Sequence, residues 1–175
     1  MEFQKNCWRI QKRPKAQSNK APQCRTTQCI KAPAQDLEKD PNLTLGMHNH
    51  CDPNLFTILY QGNVYGLQIL KDGKWIGVEP LPNAFLVFIG CQLQIISNGK
   101  LKSVIHQAVT NSKQARISVC TFVIPSSDCH IEPASHLVNE STKIPLYKGY
   151  QYKEFLHTYI LNHGDFEAVL QFYKL

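Results

Sequence analysis

Three consecutive residues in this 175-residue chain have the types and spacing to act on one point: His50, Cys51 and Asp52. On an extended strand, side chains two apart point to the same face. His50 and Asp52 then converge while Cys51 faces away. An imidazole from another strand, for which His106 is the candidate, completes a set of two histidines and one carboxylate. Such a set covers one face of an octahedral metal, leaves the other positions open and suits non-haem Fe(II). A lone His-x-Asp also occurs by chance on surface turns, so the rest of the chain has to supply the remainder of a site.

Alternation puts Val104, His106 and Ala108 on one face of a strand, and Arg116, Ser118, Cys120 and Phe122 on one face of the next. With the connection centred near Asn111 and Ser112, an antiparallel hairpin would set His106 opposite about Ile117, with Arg116 and Ser118 beside it. An arginine facing the inside of a small barrel is costly unless it meets an anion. Neither strand carries an acidic residue, so a bound carboxylate is the natural partner for the guanidinium fork. The Ser118 hydroxyl adds another donor. Taken singly, His106 also fits a core histidine bonded to backbone, and Arg116 a strand-end side chain in water. Taken together, the five residues make a complete set for a metal ion and a carboxylate.

The elements that must position this set are short. Leu55–Tyr60 reads as a buried strand closed by Gln61-Gly62-Asn63. Leu67–Leu70 and Trp75–Val78 flank Asp72-Gly73, a strong hairpin signal. Ala84–Ile89 is a further strand, Leu93–Ser97 leads into the Asn98-Gly99 turn, and Val104–Val109 and Ile117–Ile124 complete the series. Many short strands at regular spacing, punctuated by Gly, Pro and Asn, predict a mainly β sandwich, barrel or jelly roll. Ile131–Glu140 has room for a short helical turn. Tyr152, Phe155, Leu156 and Tyr159 lie at helical spacing. That stripe suits a helix packed outside the sheets, or alternatively a lid over the barrel mouth.

Composition bounds the reading. Hydrophobic content of 43% and charge of 18% describe one globular core. Of the net charge of +6, residues 1–40 supply most, with nine Lys/Arg against four Asp/Glu; the other 135 residues have ten against nine. The first 40 residues lack hydrophobic periodicity and read as a flexible, solvated basic leader. A transit peptide is the alternative. A nucleic-acid module is a third, weakened by the absence of an aromatic stacking pattern. The seven cysteines form no C-x-x-C pair, so reduced thiols in a cytoplasmic, monomeric protein without membrane or nucleic-acid partners are expected.

From Pro41 onward the chain resembles the catalytic domain of plant 2-oxoglutarate- and Fe(II)-dependent dioxygenases. The resemblance rests on His50-Cys51-Asp52-Pro53-Asn54, on Gly66 to Trp75 (GLQILKDGKW), on Gln92 to Gly99 (QLQIISNG), on His106, and on Arg116-Ile117-Ser118. Ile131-Glu132-Pro133-Ala134 and Pro145-Leu146-Tyr147-Lys148 are similar to the branch of hyoscyamine 6-hydroxylase-like, flavanone 3-hydroxylase-like and downy-mildew-resistance-type oxygenases. The resemblance implies a double-stranded β-helix (jelly roll) over residues 41–126, followed by a C-terminal extension with a helix over 127–175. It implies that His50, Asp52 and His106 bind Fe(II), and that Arg116 and Ser118 hold the distal carboxylate of 2-oxoglutarate. Phe122 would help wall the substrate pocket together with the 152–159 helix. The reaction implied consumes O2, decarboxylates 2-oxoglutarate to succinate and CO2, and hydroxylates or desaturates a small specialised metabolite or hormone, with ascorbate in support.

The chain also departs from the family. Ala32 to Lys39 does not match the Asn-x-Tyr-Pro-Pro-type strand whose tyrosine helps bind 2-oxoglutarate. The helical N-terminal domain has no counterpart here, and Gln107 stands where an arginine often follows the distal histidine. A truncated, catalytically impaired iron-binding remnant is therefore the alternative expectation. A zinc hydrolase with the same ligands would need a general base, and no second carboxylate belongs to the inward-facing set.

Overall fold

The computed structural model describes residues 25–32, 45–110, 113–138 and 144–175. Strands β1 (Arg25–Ala32), β2 (Leu45–His50), β3 (Phe56–Tyr60), β4 (Leu67–Lys71), β5 (Lys74–Gly77) and β6 (Leu86–Ile89) precede helix α1 (Cys91–Ile96). Then come β7 (His106–Val109), β8 (Arg116–Val123), β9 (His130–Ile131), a 3-10 turn at Ser135–Leu137, β10 (Tyr150–Gln151), α2 (Tyr152–Leu161) and α3 (Phe166–Tyr173). Two antiparallel four-stranded sheets result, in the orders β1-β8-β3-β6 and β2-β7-β4-β5. This is the jelly-roll arrangement that the resemblance implies, one of the β architectures the strand spacing left open. Asp72 and Gly73, with φ of 50° and 73°, form the tight β4–β5 turn that the Asp-Gly pair announces.

Several expectations need correction. Arg25–Ala32 falls inside the stretch read as a flexible leader, yet it is a strand, paired residue for residue with β8 from Arg25↔Val123 to Ala32↔Arg116. Main-chain pairing is what holds an edge strand, and the polar sequence RTTQCIKA gives no hydrophobic alternation to signal it. The other residues of the 1–40 segment lie outside the described residues. Cys91–Ile96 is helical, with Cys91, Gln92, Gln94 and Ile95 buried, whereas the apolar run there also suited an extended segment. Strands β7 and β8 are not a hairpin: β7 pairs with β2 and β4, and β8 with β1 and β3. The chain crosses from one sheet to the other between them, through a connection whose residues 111–112 lie outside the described set.

The residues group into two cores. Leu59, Leu67, Phe88 and Cys120 are buried between the sheets. A larger cluster contains Cys51 and Cys91, Ile95 of α1, Ile131, Tyr147, Tyr150, and the apolar faces of α2 and α3. Helix α2 matches the predicted stripe, with Tyr152 and Phe155 buried and Leu156 and Tyr159 packed against the cluster. It belongs to this outer core, and none of its residues is among the described residues that line the inter-sheet cavity. Helix α3, which the sequence pattern did not reveal, is started by Asp165, whose side chain accepts from the Ala168 N–H. No helix among the described residues is long and apolar enough to cross a membrane.

Phe155 is fully buried, with its ring 5.5 Å from both Tyr150 and Tyr173. Truncation at such a site removes apolar contacts and leaves a cavity. Phe155→Ala is expected to cost about 3–5 kcal/mol, read as a lowered denaturant midpoint with the slope unchanged.

Candidate functional site

The two histidines meet because of strand register. Antiparallel pairing of β2 with β7 places His50 directly opposite His106, after two irregularities in β2 between Leu45 and His50. Their rings lie 4.4 Å apart, and Phe88 from the opposing sheet stacks on His106 at 4.8 Å, nearly parallel. Strand β2 stops at His50, so Asp52 lies just beyond it and not on the strand as the alternation argument assumed. The alternation persists nonetheless. Asp52 turns back toward the histidines, with Oδ1 3.6 Å from His50 Nε2 and 3.8 Å from His106 Nε2. Cys51 points the other way, into the outer core.

Backbone carbonyls choose the tautomers. His50 Nδ1 lies 2.7 Å from the His48 carbonyl and His106 Nδ1 3.0 Å from the Val104 carbonyl. A carbonyl can only accept, so each Nδ1 carries the proton and each Nε2 presents a lone pair. One donor atom from each of His50, Asp52 and His106 lies within 4.8 Å of the others. Two neutral imidazole nitrogens and a carboxylate oxygen facing one point are a donor set that fits a divalent metal such as Fe(II).

Protonation follows from the surroundings. Burial works against charge on His50, but the Asp52 carboxylate and the His48 carbonyl outweigh it and raise the pKa of His50. Burial lowers that of His106, with the His50 charge adding to the effect and Asp52 only partly opposing it. Burial also opposes ionisation of Asp52, yet the hydrogen bond with His50, the charge of His106 and the Thr57 hydroxyl together hold its carboxyl below the usual value.

Arg116 and Ser118 lie on β8, in the sheet opposite His106, and both face the cavity between the sheets. The hairpin expected to set them beside His106 does not form; they line the same cavity as His106 from the facing sheet. The Arg116 side chain is buried and ion-pairs with no carboxylate among the described residues; its Nη1 donates to Ser118 Oγ at 3.2 Å, and its Nε has no partner. A Cβ on Gly66 would come within 2.8 Å of Arg116 Cδ and 3.0 Å of the Val109 carbonyl, so the absence of a side chain there makes room for the guanidinium arm. An unpaired buried cation carries a desolvation cost that an anionic ligand offsets. The donors fit a carboxylate.

The cavity measures about 230 Å³ and includes Leu59, Leu67, Phe88, Cys120 and Phe122 in its walls. Phe122 is thus on the cavity as expected. Burial pushes the Cys120 thiol up to about 11, so it stays neutral. Asp52 is the single carboxylate among the described lining residues. The residues that sequence reasoning missed are Phe88, which stacks on the His106 ring, Thr57, which donates to Asp52, and Asn54, which donates to Thr57. A threonine at the centre of an otherwise apolar buried strand was the available signal.

The family model of the 2OG-Fe(II) oxygenase superfamily matches residues 21–125, more than half of the chain. Among curated proteins, the chain is 47% identical over 135 residues to Protein DMR6-LIKE OXYGENASE 2 of Arabidopsis thaliana, covering 77% of this chain and 39% of that protein. It is 42% identical over 138 residues to hyoscyamine 6-dioxygenase of Hyoscyamus niger, covering 78% and 40%. With flavanone 3-dioxygenase 2 of Oryza sativa subsp. japonica it shares 41% over 136 residues, covering 77% and 40%. The chain therefore spans about 40% of the length of these relatives. Among solved structures, JOX2 in complex with 2OG, Fe and JA superposes with a TM-score of 0.63 at 42% identity, covering 67% of this chain and 35% of that one.

His50 must be neutral to ligate, and its raised pKa means that acidification charges it before His106. Mn(II) affinity should therefore weaken as pH falls from 8 to 6, tending to about tenfold per pH unit once one proton competes. Titrations at three pH values check this, and Asp52→Ala should abolish the binding.

Proposed function

The chain belongs to the 2OG-Fe(II) oxygenase superfamily, and from that footing we propose that it is the catalytic part of an oxygenase acting on a small organic molecule. His50, Asp52 and His106 hold Fe(II), and Arg116 with Ser118 holds the far carboxylate of 2-oxoglutarate. The observation that carries the reading is the buried guanidinium of Arg116, with no carboxylate ion-paired to it among the described residues, on the cavity that contains the two histidines and Asp52. When bound, iron and 2-oxoglutarate supply oxidation of an unactivated C–H bond by O2, with succinate and CO2 as co-products.

The chain's own part is positional. The His48 and Val104 carbonyls aim both Nε2 lone pairs at one point. The planar Arg116 fork orients the dicarboxylate at its remote end. Ser118 Oγ accepts from Arg116, so its own proton is free for the same carboxylate. Leu59, Leu67, Phe88 and Phe122 give the cavity an apolar wall, and the lower local dielectric strengthens the pairing of the guanidinium with its anion. At about 230 Å³ the space falls below the roughly 300–1,000 Å³ of ordinary ligand pockets. It suits the five-carbon co-substrate, with the primary substrate meeting the site at the cavity mouth. A plant specialised metabolite or hormone, flavonoids included, is the substrate class we favour. The names of the flavanone and hyoscyamine dioxygenases and of the JA complex support it.

Purified chain with Fe(II), ascorbate, 2-oxoglutarate and a panel of flavanone, salicylate and gibberellin should release succinate, faster with a cognate substrate. Metal binding without succinate in any combination would point instead to an iron-binding remnant. Arg116→Ala should leave Mn(II) affinity unchanged and raise the 2-oxoglutarate concentration needed by about thirtyfold, as expected for about 2 kcal/mol from a buried charge pair. Arg116→Lys should fall between, keeping the charge but not the fork. Phe122→Ala should slow substrate turnover more than it slows uncoupled 2-oxoglutarate decay.

A further inference from the structure

Asp52 has two oxygens, and they are used differently. Oδ1 faces the two imidazoles, while Oδ2 accepts a hydrogen bond from the Thr57 hydroxyl. Thr57 in turn lies 2.8 Å from Asn54 Nδ2. The directions are forced. An ionised carboxylate can only accept, which commits the threonine proton to Asp52, and the threonine oxygen then accepts from the amide. All three residues are buried, with 4%, 2% and 2% of Asp52, Asn54 and Thr57 exposed. No solvent competes for these bonds, and at low local dielectric each orients its acceptor strongly.

The donor end of this relay is itself clamped. Asn54 sits in the 51–55 segment, whose carbonyls are taken in turn: Tyr159 Oη donates to Cys51, the Cys91 N–H to Asp52, Gln92 Nε2 to Pro53, the Gln92 N–H to Asn54 and the Gly90 N–H to Leu55, all within 3.0 Å. At Gly90 a Cβ would collide with both the backbone carbonyl and Oδ1 of Asn54. The start of α1 therefore lies directly on the asparagine and leaves it no other place to turn.

We propose that Thr57, oriented by Asn54, is a positioning residue that keeps Oδ2 of Asp52 on the protein so that the carboxylate offers the metal one oxygen, Oδ1. This rests on the reading of His50, Asp52 and His106 as metal ligands. Without the hydroxyl the carboxylate is free to rotate, either away from the metal or into a two-oxygen grip that would occupy a position left for another ligand. The outer core thereby acts on the metal site through α1 and the 51–55 segment.

The test uses the full chain with Co(II), whose visible absorption reports coordination number, in the wild type, Thr57→Val, Thr57→Ser and Asp52→Ala. Thr57→Val keeps the shape and loses the hydroxyl. It is expected to bind Co(II) at least tenfold more weakly with an altered spectrum, and Thr57→Ser to restore both. Unchanged affinity and spectrum in Thr57→Val would overturn the proposal. Failure of the wild type to bind Co(II), or equal binding by Asp52→Ala, would instead overturn the metal reading beneath it. Should Thr57→Val not fold by circular dichroism, a crystal structure of the Mn(II)-loaded wild type decides. Oδ1 alone on the metal with Oδ2 on Thr57 supports the proposal; both oxygens on the metal overturns it.

Discussion

Pairing of His50 opposite His106 across two antiparallel strands is the constraint on which the site depends. Register in a sheet is quantised: a slip of one residue would turn one imidazole to the other face. Once register holds, the two rings are neighbours by construction, and their orientation remains to be set. That is done locally, by the carbonyl two residues before each histidine, and for His106 also by the Phe88 ring from the facing sheet. The placement of the two imidazoles is thus written mainly in backbone, which is stiffer than any arrangement of long side chains.

The opposing sheet contributes what the histidine sheet lacks. Arg116 and Ser118 reach the cavity from β8, where the buried guanidinium ion-pairs with no carboxylate among the described residues. A cation and a candidate metal site thus stand on facing walls of one cavity, at a separation fixed by the two sheets. Rigid packing of Leu59, Leu67, Phe88 and Cys120 between the sheets keeps that separation constant.

The tripeptide at 50–52 also joins the two cores. Its outer residues face the cavity and Cys51 is sunk in the cluster formed by α1, α2 and α3. No residue of the C-terminal helices is among the described residues that line the cavity, yet Tyr159 reaches the Cys51 carbonyl at 2.6 Å, and the backbone of α1 holds the following residues. Function here reaches well outside the lining residues, through hydrogen bonds to a segment with no regular structure of its own.

Much of this was legible in the residues themselves. The period-two alternation grouped Arg116 with Ser118, Cys120 and Phe122 because side-chain direction on a strand is a local property, and it paired His50 with Asp52 although the strand stops at His50. Turn chemistry at Asp72-Gly73 and the helical stripe from Tyr152 to Tyr159 are local too. What local pattern could not carry was partnership. Neighbouring strands in sequence suggested that β7 and β8 form a hairpin, whereas the fold places them in different sheets. The polar strand at 25–32 has no hydrophobic signature, since its place is secured by main-chain bonds to β8. Thr57 looked like one strand residue among others until Asp52 folded back onto it. Side-chain type and direction were set by the sequence alone; which walls face each other, and which hydroxyl meets which carboxylate oxygen, were decided by long-range pairing, because those contacts exist only once the two sheets have closed.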